Sequence, residues 1–342
     1  MTTVTTCIFE DTFLFSSRFL SLSLHFLTSL EIPIHLFGVW LIYTKTPKTM
    51  NSAKYSIMQL HITCSVLDFY VSYLFIFYVW PPILAGVPVG LLSYFGVSSV
   101  IQLYLWLNLM IAVALSAVAS FENRYDAIVI GQMGRSSSRN IKRIVFFTTN
   151  FIVWAVAIGV LFWRMPDPEV SRKSLHQVIP CIPITLINDP MYVTMSVGST
   201  LTTVVFLVMI LAISFQGTFF FFYTLIYLFF SVRNVSKSTQ QMQKRFFVAM
   251  TLQALIPMCA MFAPLFYFNV AFFLKYYNQM YNNFAMIAIG FNGLLTTIVM
   301  ILVHAPYRSS VLEMLGALKR RWKPREDSNV KIFTRNPSRV TN

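Results

Sequence analysis

The stretch LLSYFGVSSVIQLYLWLNLMIAVALSAVASFENRY, residues 91–125, decides the fold of this chain. Its first 31 residues carry no charge, and the run then stops at Glu122-Asn123-Arg124-Tyr125. A helix rises about 1.5 Å per residue and about 20 apolar residues cross a bilayer, so this run can cross at a tilt. Charged residues at its end fit a membrane–water interface. We therefore predict a transmembrane helix over residues 91–121.

The composition also indicates that most of the chain lies in a lipid bilayer. The chain has 342 residues, of which 56% are apolar and 11% charged, whereas a soluble domain has about 25% charged residues. The net charge of +14 would suggest nucleic-acid binding in a soluble protein. Here the basic residues lie between apolar runs, so we predict a membrane protein that binds no nucleic acid.

Long apolar segments repeat along the chain and predict an all-α bundle. Residues 192–230 are the ambiguous case, because 39 uncharged residues exceed one span and barely suffice for two. Its interior offers only Gly198 and Gly217 as helix breakers, so we predict one long helix there. A short tail (1–18) precedes the bundle (19–308), a basic tail (309–342) follows it, and residues 80–90, rich in Pro and Gly, predict a tight loop. The seven predicted spans are 19–43, 55–79, 91–121, 144–163, 199–230, 246–274 and 283–303.

The distribution of Lys and Arg predicts the topology. Alternate connections and the C-terminal tail hold 3, 5, 4 and 9 of these residues, which is 21 of the 26 in the chain. Basic connections stay in the cytoplasm, so we predict an outside N-terminus and a cytoplasmic C-terminus. An odd number of spans follows, and seven fits.

The start of the tail predicts a short amphipathic helix. Val311, Leu315, Leu318 and Trp322 share one helical face, and basic residues crowd its end. Such a helix would lie on the inner leaflet, held by apolar burial and anionic lipid.

Few residues suggest chemistry. The chain has no G-x-S-x-G, H-E-x-x-H or Gly-rich phosphate motif, and its five histidines have no metal-site spacing. We predict no enzyme, no metal and no cofactor. Of the four cysteines, Cys64 and Cys259 lie within apolar runs, whereas Cys7 and Cys181 fall in segments that we place outside and could pair.

Two carboxylates lie within predicted spans. Burying an ionised carboxylate in hydrocarbon costs about 2.5–3.5 kcal/mol, so Asp68 and Glu31 should face the bundle interior. Asp68, near His61, is either part of a polar network or a protonated acid bonded to a neighbour. Glu31 and His35 are four residues apart and predict a local pair. Pro257 and Pro264 predict a kinked sixth span.

Several short motifs together resemble one family of receptors. They are Lys45-Thr46-Pro47-Lys48-Thr49-Met50, Leu60-His61 followed by Asp68, Glu122-Asn123-Arg124-Tyr125, Gln253-Ala254-Leu255-Ile256-Pro257 and His304-Ala305-Pro306-Tyr307-Arg308. This set is similar to the nematode serpentine chemoreceptors of class H, with classes I and D as near alternatives.

The resemblance implies a chemosensory G-protein-coupled receptor in the plasma membrane of sensory cilia, with a heterotrimeric G protein, a small molecule and membrane lipid as partners. In related receptors an acid at the place of Asp68 often helps to hold a sodium ion or water. The third span has no cysteine at its outer end, so the usual disulfide from that position cannot form. The implied roles are a G-protein switch at Glu122, Arg124 and Tyr125, a helix pivot at Gln253 and Pro257, and an inner-end motif at His304, Pro306, Tyr307 and Arg308, where many related receptors have Asn-Pro-x-x-Tyr.

A second class of function is a ligand-gated channel or a transporter. A transporter should show internal symmetry and paired intramembrane charges, and neither is evident in the sequence. The outer half of the third span has no charged anchor, so for a receptor we expect a small, mostly neutral ligand.

Overall fold

The computed structural model describes residues 6–8, 10, 12–48, 51–81, 83–130, 138–196, 200–231 and 236–322. These residues form a helical bundle with a small sheet at one end. The helices are α1 (Ser17–Lys45), α2 (Asn51–Phe69), α3 (Leu91–Tyr94), α4 (Ser99–Tyr125), α5 (Arg139–Trp163), α6 (Pro168–Val178), α7 (Ile184–Ile187), α8 (Thr200–Ile226), α9 (Lys237–Phe273), α10 (Gln279–Val303) and α11 (Ala305–Trp322). The strands are β1 (Thr6–Ile8), β2 (Phe77–Val79), β3 (Leu84–Pro88), β4 (Val193–Ser196) and β5 (Tyr276–Asn278).

Six of the described helices are long and apolar enough to cross a membrane, namely α1, α4, α5, α8, α9 and α10. The remaining long helix of the bundle, α2, is less apolar because it carries Lys54, His61 and Asp68. It packs between α1 and α4 and also touches α10. The predicted all-α membrane bundle is therefore confirmed. Its orientation across the membrane stays a prediction.

The third span, α4, is the central helix of one half of the bundle. It packs against α2, α5 and α8, whereas α9 packs mainly on α10, and α10 on α1. Side chains near its ends, such as Gln102 and Glu122, are fully buried. We call the end of the bundle that carries the strands the sheet end, and the end where α4 finishes and α11 begins the tail end.

Capping groups explain several helix starts. The Ser16 hydroxyl accepts the Phe19 backbone N–H at 3.1 Å at the start of α1. Ser236 accepts from Thr239 at 3.3 Å, so α9 begins at Lys237, ahead of the predicted residue 246. Asn278 accepts from Tyr281 at 3.2 Å, so α10 begins at Gln279, ahead of the predicted residue 283.

The predicted second and third spans were wrong at their sheet ends. The second, predicted over 55–79, ends in a wide helical turn at Tyr70–Leu74, because the β-branched and aromatic residues that follow form β2. The third, predicted over 91–121, is broken before Ser99. Gly96 has a φ of +71°, a left-handed conformation that glycine adopts without steric cost, and it separates α3 from α4.

The loop predicted at residues 80–90 contains the turn of a β-hairpin. Strands β2 and β3 pair antiparallel, with Val79 opposite Gly86, and β4 pairs with the other edge of β3. A side chain at Gly86 would collide with the Tyr78 carbonyl oxygen, so the sequence needs glycine there. The connection between α5 and β4 contains the short helices α6 and α7, and the Asp167 side chain caps the start of α6.

The main apolar core lies at the sheet end, beneath this three-stranded sheet. Tyr78, Trp80 and Tyr277 are at most 1% exposed. The ring of Trp80 stacks on Tyr192 at 6.1 Å, and the Tyr78 hydroxyl donates to the Phe15 carbonyl. A second strand pair, parallel β1 and β5, joins the N-terminal segment to the connection between α9 and α10.

Candidate functional site

Arg124 lies at the tail end of α4 and points toward α9. Its guanidinium carbon is 3.7 Å from the centre of the Phe246 ring, and its Nε donates to Met250 Sδ at 3.2 Å. The residue is 9% exposed, and its buried Nη2 has no hydrogen-bond partner among the described residues. Among the described residues, an aromatic ring and a sulfur hold this guanidinium, which leaves part of a buried cation unsatisfied.

His304 continues this contact to the end of α10. Its ring lies 5.4 Å from Phe246, and its Nε2 donates to Gln253 Oε1 at 2.8 Å. Gln253 is 4% exposed and belongs to α9. Burial, and then the positive charge of Arg124, lowers the pKa of His304 to about 4, so the ring is neutral at pH 7.

Tyr307 anchors the start of α11. Its ring is 5.5 Å from that of His304, and its hydroxyl lies 2.9 Å from Thr46 Oγ1 at the end of α1. Tyr307 is 1% exposed. We call Thr46, Arg124, Phe246, Gln253, His304 and Tyr307 the tail-end network; it links α1, α4, α9, α10 and α11.

Glu122 does not pair with Arg124 but points to α5. It accepts from Arg139 Nη2 at 2.8 Å and from Arg143 Nε at 2.7 Å. The same two arginines reach Asp126, at 2.9 Å from Arg139 Nε and 3.4 Å from Arg143 Nη1. These four side chains form an ion-pair clamp between α4 and α5.

The spacing of charged residues along α4 and α5 is a signal for this clamp that the motifs do not include. Glu122 and Asp126 are four residues apart, and so are Arg139 and Arg143. Residues at this spacing share a helical face, so two facing helices bring the two pairs together. Phe246 and Met250 share the same spacing and were not predicted either, because apolar residues in a span give no sign that they hold an arginine.

The remaining predicted residues at this end lie apart from one another. Tyr125 packs on α8, with ring centres 5.6 Å from Phe220 and 5.3 Å from Tyr223. Pro257 is buried inside α9, and the helix continues through it. Pro306 lies in the first turn of α11, and Arg308 donates to the Leu302 carbonyl at 2.9 Å. Glu122, Arg124 and Tyr125 thus reach three different neighbouring helices.

A second polar cluster lies in the middle of the bundle. His35 Nε2 is 3.6 Å from Asp68 Oδ2, and His35 Nδ1 is 2.8 Å from Thr297 Oγ1. His61 Nε2 is 3.1 Å from the His35 carbonyl oxygen. All four side chains are buried. The cluster joins α1, α2 and α10 through polar contacts.

Glu31 belongs to the same cluster but not in the predicted way. It accepts from Ser72 at 3.5 Å, whereas His35 turns to Asp68, so the predicted Glu31–His35 pair was wrong. Contacts with α2 and α10 outweigh a weak pairing within one helix. A Cβ at Gly293 would overlap the Asp68 carboxylate, so this glycine makes room for the acid. The bundle thus brings ionisable groups from different spans together, although no such pairing is evident in the sequence.

The structure describes the side chains of three of the four cysteines. Cys64 and Cys259 are free thiols, and Cys181 is in a disulfide. The side chain of Cys7 lies outside the described residues, so its predicted bond to Cys181 stays a prediction. No group of three or more metal-ligating side chains occurs among the residues that the structure describes.

Comparison with known proteins identifies the family. Residues 15–317 match the model of the family described as serpentine type 7TM GPCR chemoreceptor Srh. A curated relative, serpentine receptor class H-72 of Caenorhabditis elegans, is 26% identical over 306 residues, which cover 89% of this chain and 88% of the relative. The matched region spans the bundle, both polar clusters and most of α11, and the family consists of receptors rather than enzymes. The chain therefore belongs to the Srh family of serpentine seven-transmembrane chemoreceptors.

Proposed function

We propose that this receptor binds a small, mostly neutral chemical and activates a heterotrimeric G protein at its tail end. The tail-end network carries this proposal. It connects five helices through a buried cation–π contact, a buried hydrogen bond between His304 and Gln253, and a partly buried contact between Tyr307 and Thr46. A G protein that inserts at this end would separate Arg124 from Phe246, and the unsatisfied guanidinium would then gain a new partner.

In this proposal each of the predicted tail-end residues has a separate role. Glu122 holds α4 against α5, and Tyr125 holds α4 against α8. Arg124 is the group that leaves Phe246 on activation. Gln253 and Pro257 form the pivot of α9. His304, Pro306, Tyr307 and Arg308 hold the start of α11 against it. A ligand acts by binding one arrangement of the helices more tightly than the other.

The sheet end supports a neutral ligand. The part of α4 nearest the sheet, from Ser99 to Ala112, contains no charged residue, and its Tyr104 and Trp106 contact aromatic rings of neighbouring elements. Trp106 lies 5.8 Å from Phe75 and 6.4 Å from Phe77. Such walls bind apolar molecules with a few hydrogen bonds, and Gln102 is a buried polar group on the same helix.

We place the sheet end outside and the tail end in the cytoplasm, in the plasma membrane of sensory cilia. The excess of Lys and Arg in the tail-end connections supports this orientation. Epitope tags at each terminus, stained on unpermeabilised cells, test it. Antibody access to the C-terminal tag alone would overturn it.

The test of signalling is Arg124→Ala in cells that report calcium after exposure to a panel of volatile and water-soluble chemicals. We expect the response to an active chemical to disappear while surface expression stays at the wild-type level. Arg164→Ala, an exposed arginine at the sheet end, is the matched control and should respond normally. A wild-type response from Arg124→Ala would refute the switch, and ligand-gated current in patches without GTP would indicate a channel instead.

A further inference from the structure

A groove of about 350 Å³ opens at the tail end between α4, α5 and α8. One wall carries the basic side chains of Arg139, Lys142 and Arg143, and Glu122 lies beneath them. The apolar wall consists of Phe219 and Phe220 on α8 and of Phe146, one turn along α5 from Lys142. The groove thus combines a cationic rim with an apolar wall.

Lys142 gives the groove its excess positive charge. Arg139 and Arg143 are already paired with Glu122 and Asp126 in the ion-pair clamp. Lys142, in the first turn of α5, is exposed and makes no ion pair with any described residue. Counting these five side chains, three cations face two carboxylates, so one positive charge is left to attract an anion.

The apolar wall faces the surroundings of the bundle. Phe146 is 39% exposed, Phe219 is 48% exposed, and Phe215, one turn further along α8, is 71% exposed. Exposed aromatic and aliphatic side chains on a membrane-spanning helix contact lipid chains. A ligand of this groove therefore meets a charge at one end and hydrocarbon along its length.

A neighbouring groove between α2, α4 and α5 shows that size alone does not decide the ligand. Its volume is larger, about 810 Å³, but its charged residues are Asp126 and Arg143, which balance. Its other polar groups are neutral and include Asn123 and Asn140. Only the smaller of the two grooves has an unpaired cation among its described lining residues.

We propose that the groove beside Lys142 binds an anionic glycerophospholipid of the membrane leaflet at the tail end. The Lys142 ammonium holds the headgroup phosphate or carboxylate, and one acyl chain lies along Phe146 and Phe219. The lipid then covers the clamp between α4 and α5 and keeps water from its ion pairs, which strengthens them. The site is independent of the G-protein proposal.

The experiment measures lipid binding to the full-length receptor in detergent by native mass spectrometry, with dioleoylphosphatidylserine as the probe. We expect phosphatidylserine to remain bound where phosphatidylcholine does not. Lys142→Ala should weaken its binding about fivefold, the effect of one basic side chain near an anionic surface. Lys142→Arg should retain binding, which separates lost charge from poor folding.

Lys244→Ala is the matched control, since Lys244 also lies at the tail end, 4.3 Å above the Phe229 ring, but outside the groove. It should bind phosphatidylserine like the wild type. Equal retention of both lipids, or equal loss in the two alanine variants, would overturn the proposal. Displacement of phosphatidylserine by millimolar inorganic phosphate would indicate a site for soluble anions, and binding of an acidic peptide in place of lipid would assign the groove to a protein partner; either result would also overturn it.

Discussion

The two ends of the bundle are held together by different interactions. At the sheet end, β2, β3 and β4 are joined by backbone hydrogen bonds and lie over a core of fully buried aromatic rings. At the tail end, two smaller apolar clusters are joined by ion pairs, a cation–π contact and single hydrogen bonds. Apolar burial and strand pairing are lost only when a segment unfolds, whereas isolated polar contacts can be exchanged for others. The difference indicates a stable sheet end and a tail end that can rearrange.

The largest expected effect comes from breaking the sheet end. Trp80→Ala removes a fully buried side chain, and such truncations cost about 3–5 kcal/mol. We expect a large drop in the thermal unfolding temperature of the purified receptor. Trp163→Ala, at a tryptophan that is 91% exposed, is the control and should unfold like the wild type. Equal unfolding temperatures for both variants would contradict a rigid sheet end.

Acid should weaken the tail end through His304. Its pKa is lowered from 6.5 to about 4 in the folded state, so between pH 6.5 and 4 the unfolded chain binds more protons. Stability therefore falls as the pH drops through this window, by about 3 kcal/mol from this group. The wild type should lose more thermal stability between pH 7 and pH 4.5 than His304→Gln. Identical pH profiles would show that His304 is not the buried neutral group described here.

The ion-pair clamp should give an intermediate effect. Glu122→Gln leaves two arginines with one carboxylate, and because Arg139 and Arg143 are partly exposed we expect a loss of about 1–3 kcal/mol. Thermal unfolding in detergent measures it. Glu169→Gln is the control, because the Glu169 side chain is 75% exposed and 3.7 Å from Arg172. Equal losses of thermal stability in the two variants would show that the ion-pair clamp does not stabilise the tail end.

The smallest effect should come from Tyr307→Phe. It removes only the hydroxyl that lies 2.9 Å from Thr46, and a single hydrogen bond contributes about 0.5–1.5 kcal/mol. We expect a slight loss of thermal stability and a raised signalling background without ligand. Tyr55→Phe, at an exposed tyrosine, should change neither. A Tyr307→Phe effect as large as that of Trp80→Ala would mean that the two ends are equally rigid.

The sequence predicted the helical membrane bundle, because long uncharged runs between basic connections are typical of helices that cross a bilayer. It did not predict the sheet. Residues 75–80 are apolar and were included in the second span, since periodicity does not distinguish a short buried strand from the end of a helix. The break before α4 was missed for a related reason, because Gly96 within an apolar run gives only a weak signal.

For the candidate site, the sequence motifs named residues but not their contacts, and their roles stay a prediction. Arg124, Gln253, His304 and Tyr307 were named from motifs. In the structure Phe246, which no motif included, contacts Arg124 and His304, and His304 contacts Gln253 and Tyr307. Glu122 was expected to act with Arg124, yet it pairs with α5. Long-range partners depend on how the helices are rotated against each other, and that rotation cannot be predicted from the motifs of a single sequence.

The parallel pairing of β1 with β5 ties the N-terminal segment to a part of the chain about 270 residues further on. Residues 6–8 run beside residues 276–278, directly between α9 and α10. Any displacement of these two helices at that side is thereby transmitted to the first few residues of the protein. A fluorescent probe attached there would report movement of α9 optically, without any label inside the bilayer.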